Sequence, residues 1–164
     1  MARVLKPPAP LSVSPGVPIV FLAGSIEMGA AENWQAQVEH GLRDLDVVIL
    51  NPRRDDWSAP WVQSIDNPQF REQVEWELEG LERASVVAMY FAPSTKAPVT
   101  LLELGLCAQG GKLLVCCPEG FWRRGNIEVV CARHGIPLMS DLAELVRTLW
   151  ARLGTNTAAS AIST

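Results

Sequence analysis

Short apolar runs alternate with segments of helical periodicity along most of this chain, and this alternation limits the fold more than any other feature. The runs are rich in Val, Ile and Leu, as is typical of strands buried on both faces. They lie at 18–24, 46–50, 85–91 and 112–117, with a weaker run at 136–138. Strand–helix alternation predicts an α/β fold with a parallel sheet. Five strands favour a flavodoxin-like three-layer sandwich over a barrel, which needs about eight.

The segments between the runs have apolar residues at helical spacing. In the first segment they form the stripe Trp34, Val38, Leu42 and Leu45. In the second, the predicted buried stripe is Phe70, Val74, Leu78 and Leu81. Most of the glutamates there are predicted to lie outside the stripe: Glu72, Glu75, Glu79 and Glu82. Further helices are predicted over 98–109, 124–134 and 140–153.

The two ends of the chain lack this alternation. Residues 1–17 contain four prolines and are predicted to be a flexible leader. Residues 154–164 are small and polar and are predicted to be a flexible tail. Residues 18–153 are therefore predicted to form a single domain.

Composition excludes several classes of protein. A net charge of −4 and a pI near 5.2 argue against a module that binds a nucleic acid polymer. No apolar run approaches the roughly 18 residues of a membrane span, and the amino terminus lacks the apolar stretch of a signal peptide. The four cysteines form no CxxC pair, which favours buried reduced thiols over disulfides or a metal site. These features predict a cytoplasmic protein with no membrane partner.

The fold class predicts where a ligand binds, because sites in open α/β sheets form at the carboxyl ends of the strands. Gly24 and Ser25 follow the first strand, where a glycine lets the backbone approach a ligand; a tight turn without a ligand is the alternative. Asp55, Asp56 and Trp57 follow the second strand, where a carboxylate can bind a sugar hydroxyl and an indole can stack on a base. A self-neutralising surface cluster with the adjacent arginines is the alternative there.

Glu103 is the most unusual single residue of the sequence. It is the one acidic residue between Glu82 and Glu119, and it lies in an otherwise apolar predicted helix after the third strand. A carboxylate in such surroundings must be paired, neutralised or used in chemistry. The structural alternative is an ion pair, for example with Lys96. Asn126, after the fourth strand, either caps a helix or reaches a ligand across the crevice or a subunit boundary.

Four segments taken together resemble the nucleoside 2-deoxyribosyltransferase-like family. They are FLAGSIEMG (21–29), NPRRDDW (51–57), FREQVEWELEGLERA (70–84) and APVTLLELGLCAQGGKLLVCC (97–117), and the likeness covers about residues 18–134. Gly24-Ser25 matches the turn of the related nucleotide N-glycosidases, and Glu103-Leu104-Gly105 matches the family's E-L-G helix.

The resemblance implies a flavodoxin-like fold, homo-oligomers (dimers or larger) with shared sites, and cleavage of the N-glycosidic bond of 2′-deoxynucleosides. It implies that Glu103 is the nucleophile that attacks the anomeric carbon, with no metal or organic cofactor. The implied partners are a nucleoside or nucleotide and a free nucleobase.

Three departures from the family pattern affect the groups around the nucleophile. Ser85 stands where many members have Asp, and Ala97-Pro98-Val99-Thr100 replaces D-S-G-T. Phe21 or Val20, depending on the alignment register, replaces the tyrosine often found in the first strand, and Phe21 is a candidate substrate contact. We hypothesise that Asp56, or else Asp55, supplies the catalytic acid instead. The expected activity is deoxyribosyl transfer between nucleobases. The alternatives are an N-glycosidase acting on nucleosides or their 5′-monophosphates, and a non-catalytic nucleotide-binding module.

Overall fold

A computed structural model of the chain describes residues 1–26, 32–54 and 61–160, and within these ranges it contains one all-parallel sheet of six strands. The strands are β1 (Arg3–Leu5), β2 (Ile19–Gly24), β3 (Val48–Leu50), β4 (Val86–Tyr90), β5 (Leu113–Cys116) and β6 (Leu138–Met139). Their spatial order is β1-β3-β2-β4-β5-β6. The predicted α/β sandwich with a parallel sheet is confirmed, although the sheet has six strands rather than five.

The additional strand, β1, lies within the segment predicted to be a leader. It pairs in parallel with β3, with Val4 opposite Ile49. Its three residues precede Pro7 and Pro8, so the run is too short to show a strand pattern in the sequence. The strand count predicted from periodicity alone was therefore one too low.

Five helices cover the sheet in the described part of the chain. They are α1 (Trp34–Leu42), α2 (Pro68–Arg83), α3 (Pro98–Cys107), α4 (Arg124–His134) and α5 (Leu142–Ser160). Helices α1 and α5 pack on one face, and α2, α3 and α4 pack on the other. Helix α5 ends at Ser160, so its last turns lie within the segment 154–164 that is predicted to be a tail.

Helix α2 buries only part of the predicted stripe. Leu81 is buried as predicted, but Leu78 is 40% exposed, and the side chains of Gln73 and Trp76 face the protein instead. Gly80 decides this orientation, because a Cβ at that position would lie only 2.8 Å from a ring carbon of Phe21. Gly80 therefore packs against the sheet at a position where a larger side chain would not fit.

The strand order places the crevice between β2 and β4. The chain leaves β2 toward α1 on one face of the sheet and leaves β4 toward α3 on the other face. Strand order therefore reverses between these neighbours, and the carboxyl ends of β2 and β4 flank the crevice where ligands bind in such sheets. No helix of the described residues is long and apolar enough to cross a membrane.

Candidate active site

A closed cycle of hydrogen bonds joins the end of β2 to the loop between β4 and α3. The backbone N–H of Ala92 donates to Ser25 Oγ (3.1 Å), and the Thr95 hydroxyl donates to the Ala92 carbonyl (2.9 Å). Since the Thr95 proton is used there, the Ser25 hydroxyl donates to Thr95 Oγ1 (2.6 Å). Ser25 is fully buried and fixes the position from which α3 starts. Its predicted contact with a substrate stays a prediction.

Gly24 is required by packing at the same point. A Cβ on Gly24 would lie 2.5 Å from the Tyr90 carbonyl oxygen and 2.6 Å from a ring carbon of Trp34. The Trp34 indole also donates a hydrogen bond to the carbonyl of Ser25 (3.1 Å). The glycine therefore lets α1 and β4 approach the end of β2, and this contact accounts for the residue without a ligand.

Glu103 lies in the second turn of α3 on the side of the helix that faces the protein. Only 8% of the residue is exposed, whereas Val99, Leu102 and Leu106 on the adjoining outer face are more than half exposed. Helix α3 begins at Pro98, after Ala97 in the left-handed conformation (φ 45°), and has no side-chain cap. Helix α3 thus turns a carboxyl group inward among buried apolar side chains and exposes three other apolar side chains, which departs from the usual arrangement.

The Glu103 carboxyl group makes no hydrogen bond or ion pair within the described part of the chain. Lys96, the cation proposed as its structural partner, instead lies over the ring of Trp122 at 4.5 Å. Burial, followed by the charge of the nearby Glu77 carboxylate, raises the pKa of Glu103 from 4.5 to about 8. The structural ion pair with Lys96 is therefore not formed.

Glu77 is the second carboxyl group of the site. It projects from α2, half-buried, and its Oε1 accepts a hydrogen bond from Gln73 Nε2 (2.7 Å). Burial raises the pKa of Glu77 to about 7, although the Gln73 hydrogen bond lowers it. Because Glu77 loses its proton first, its charge then opposes ionisation of Glu103. Glu103 therefore keeps its proton at a pH at which Glu77 has begun to lose its own.

Gln73 links this pair to the loop after β3. Its Nε2 also donates to the Pro52 carbonyl (3.2 Å), and its Oε1 accepts from Arg54 Nη1 (3.4 Å). The Arg54 guanidinium lies 4.9 Å from the ring centre of Trp61. These contacts hold Glu77 at a fixed place beside the segment in which the sequence predicts substrate contacts.

The remaining predicted residues are placed as follows. Phe21 is fully buried in the core, with its ring centre 6.3 Å from that of Trp76, and its predicted contact with a substrate stays a prediction. Asn126 is exposed inside the first turn of α4, whose N-cap is Arg123, so the prediction that Asn126 caps the helix is wrong. Its predicted contact with a ligand is not tested by this placement.

Asp55, Asp56 and Trp57 lie outside the described residues, and their predicted roles stay predictions. Within residues 1–26, 32–54 and 61–160, no three His, Cys, Asp or Glu side chains come together as a metal site.

Glu77 is the residue that the sequence reading missed. The signal was present in its spacing: Gln73, Trp76, Gly80 and Leu81 lie on one face of α2, and Glu77 is one turn from Gln73, Gly80 and Leu81. The stripe that includes Leu78 has more apolar residues than this face, so periodicity alone favours the stripe as the buried side. Only contact between Gly80 and Phe21 reveals which face is buried.

The fold and the site define a flavodoxin-like α/β protein with a buried pair of carboxyl groups beside its crevice. The sequence model of the family described as "nucleoside 2-deoxyribosyltransferase like" matches residues 17–121, nearly two thirds of the chain. This chain belongs to that family. A search of curated proteins found no match.

Proposed function

We propose that this protein is a nucleoside 2-deoxyribosyltransferase. It cleaves the N-glycosidic bond of a 2′-deoxynucleoside and passes the deoxyribose to another nucleobase. The observation that carries the proposal is the buried, unpaired carboxyl group of Glu103 beside that of Glu77 in a member of this family. An unpaired buried carboxyl group is costly for a fold, so a chemical role accounts for it better than a structural one.

In the first step, the Glu103 carboxylate attacks C1′ of the deoxyribose. A Glu103–C1′ ester bond forms, the C1′–N bond breaks, and its electron pair leaves with the base. Glu77 gives its proton to the departing base and becomes a carboxylate. The proposed reactive form has the proton on Glu77 and the charge on Glu103. It is the less populated of the two singly protonated forms, because the pKa of Glu103 is the higher one, and the bound substrate must favour it.

In the second step, a nitrogen of the incoming base attacks C1′ and the ester bond to Glu103 breaks. The proton of the incoming nitrogen returns to Glu77, so both carboxyl groups regain their starting states. Two displacements at one carbon give overall retention of configuration, as in retaining glycosidases. The proposed chemistry needs no metal or organic cofactor, and it replaces Asp56 with Glu77 as the acid.

We assign the other contacts of the substrate to the loops at the crevice. Asp55 and Trp57 remain proposed for the sugar and the base, and Asn126 for a ligand or a partner subunit. The proposed partners are small nucleosides, nucleotides and free nucleobases rather than nucleic acid polymers, and the proposed compartment is the cytoplasm.

We further propose that the protein forms homo-oligomers through the outer face of α3. That face carries Val99, Leu102 and Leu106 without a charged side chain, and Leu102 is 63% exposed. Clustered apolar side chains on a helix surface are typical of contacts between protein chains. Light scattering after gel filtration tests this, because Leu102→Lys should yield monomers whereas Val129→Lys on α4 should not.

The function is tested by incubating the protein with a deoxynucleoside and a different free base, and separating the products by chromatography. A new deoxynucleoside that requires Glu103 supports the proposal. Release of free base without exchange would identify an N-glycosidase, and parallel reactions with 5′-monophosphates would identify its substrate. Binding without reaction would identify a nucleotide-binding module and refute the proposal.

A further inference from the structure

Gln35, in the first turn of α1, carries an unexplained polar group. The residue is fully buried, yet its Nε2 makes no hydrogen bond. Among the described residues, it is the one side-chain nitrogen or oxygen that is completely shielded from solvent and lacks a partner. Buried donors without acceptors are rare in folded proteins, so each requires an explanation.

The contacts around Gln35 fix which end of its amide is the oxygen. Oε1 accepts from Arg53 Nη1 (3.5 Å), and the same guanidinium nitrogen donates to the Glu32 carbonyl (3.3 Å). The backbone of Arg53 is held by Asn51 Oδ1 (2.9 Å), and Asn51 Nδ2 donates to Glu39 Oε1 (2.6 Å). The contact with Arg53 thus orients the Gln35 amide, and its N–H groups remain without an acceptor.

The position of Gln35 relates this group to the crevice. Helix α1 follows β2 and packs on one face of the sheet, whereas α3 with Glu103 follows β4 on the other face. Trp34, adjacent to Gln35, donates to the carbonyl of Ser25 at the end of β2. Near a helix N-terminus the electric field favours acceptors that carry negative charge.

We infer that Gln35 Nε2 donates a hydrogen bond to an oxygen of the bound nucleoside or nucleotide, and so helps to select the substrate. This inference rests on the proposed function, because it takes the ligand to lie in the crevice next to Glu103. The required ligand chemistry is an acceptor oxygen. A 5′-phosphate and a carbonyl group of the base both supply one.

The experiment measures binding without turnover. Glu103→Ala protein is titrated in a calorimeter with a 2′-deoxynucleoside and, separately, with its 5′-monophosphate. Gln35→Met is then added to this background, since Met removes the donor and keeps the length of the side chain. The matched control is Gln37→Met, at an exposed glutamine of the same helix that donates to Glu32.

We expect Gln35→Met to weaken binding by about tenfold, the usual effect of one lost hydrogen bond to a ligand. Gln35→Glu should weaken it further, because it keeps the shape and replaces the donor with an acceptor. Gln37→Met should change neither affinity. A loss confined to the 5′-monophosphate assigns the phosphate as the acceptor, and an equal loss with both ligands assigns an oxygen of the nucleoside.

The inference is overturned if Gln35→Met melts at a higher temperature than its parent while both affinities stay the same. Gln35 would then be an unsatisfied core group only. It is also overturned if neither ligand binds to protein with Gln35 intact. If binding depends on Gln35 but protein with Glu103 intact transfers no deoxyribose, the proposed function alone fails.

Discussion

Two buried polar clusters lie near the same edge of the sheet, and they differ in how completely their groups are paired. In the cluster of Ser25, Ala92 and Thr95, each hydroxyl and the amide has a partner inside the protein. In the cluster of Glu77 and Glu103, the charge of Glu77 opposes ionisation of Glu103, and the Glu103 carboxyl group has no partner within the described residues. The first cluster stabilises the loop between β4 and α3, whereas the second leaves the Glu103 carboxyl group available to a ligand.

The largest expected effect comes from the nucleophile. Glu103→Gln should reduce deoxyribosyl transfer by on the order of 10³-fold or more, because the amide cannot form the ester with C1′. The fold should be kept or stabilised, since the variant has no buried charge. Initial rates measured by chromatography test this, with the exposed Glu119→Gln as the control. Transfer at the parent rate would refute the role of Glu103.

The proton donor gives the next largest effect. Glu77→Gln should lower the rate by roughly 10²-fold, the usual contribution of a general acid. It should also lower the pKa of Glu103, because the charge that raises it is removed. The pH dependence of kcat/KM reports both changes. Glu75→Gln, at an exposed position of α2, is the control, and an unchanged profile for Glu77→Gln would assign the acid to another residue.

The pH dependence of stability follows from the raised pKa of Glu103. Between pH 4.5 and about 8 the folded protein keeps a proton that the unfolded chain has released. The free energy of unfolding should therefore fall as pH rises through this window, by on the order of a few kcal/mol.

Glu103→Gln should flatten this slope, which urea titrations at about pH 5 and about pH 9 can measure. Glu79→Gln, at an exposed residue paired with Arg83, should keep the slope. Equal slopes for Glu103→Gln and the parent protein would show that this carboxyl group is not desolvated.

The smallest effect belongs to the fully paired cluster. Ser25→Ala should destabilise the protein by about 1–3 kcal/mol, because the buried N–H of Ala92 loses its acceptor. Urea unfolding measures the change, with the exposed Ser94→Ala as the control. If Ser25→Ala kept its stability but had a much higher KM, Ser25 would be assigned to substrate binding rather than to the support of the loop.

The sequence predicts residues that stand out against a uniform background. Glu103 is conspicuous because its helix is otherwise apolar, and the strand–helix alternation is conspicuous because four of the runs are long enough to show periodicity. Glu77 is hidden because α2 is rich in charge, so burial depends on contact between Gly80 and Phe21. Such a contact joins residues far apart in sequence, and periodicity within one helix cannot reveal it.

The pairing of β1 has a practical consequence for anyone who shortens or tags this chain. The backbone N–H of Arg3 donates to the Val47 carbonyl, and the backbone N–H of Asn51 donates to the Leu5 carbonyl. The side chain of Asn51 in turn accepts a hydrogen bond from the backbone N–H of Arg53. Further along, the Trp76 indole donates to the Ala9 carbonyl. Deleting the first residues would leave β3 as a bare sheet edge, which is a template for aggregation. Purification tags are better attached at the opposite end.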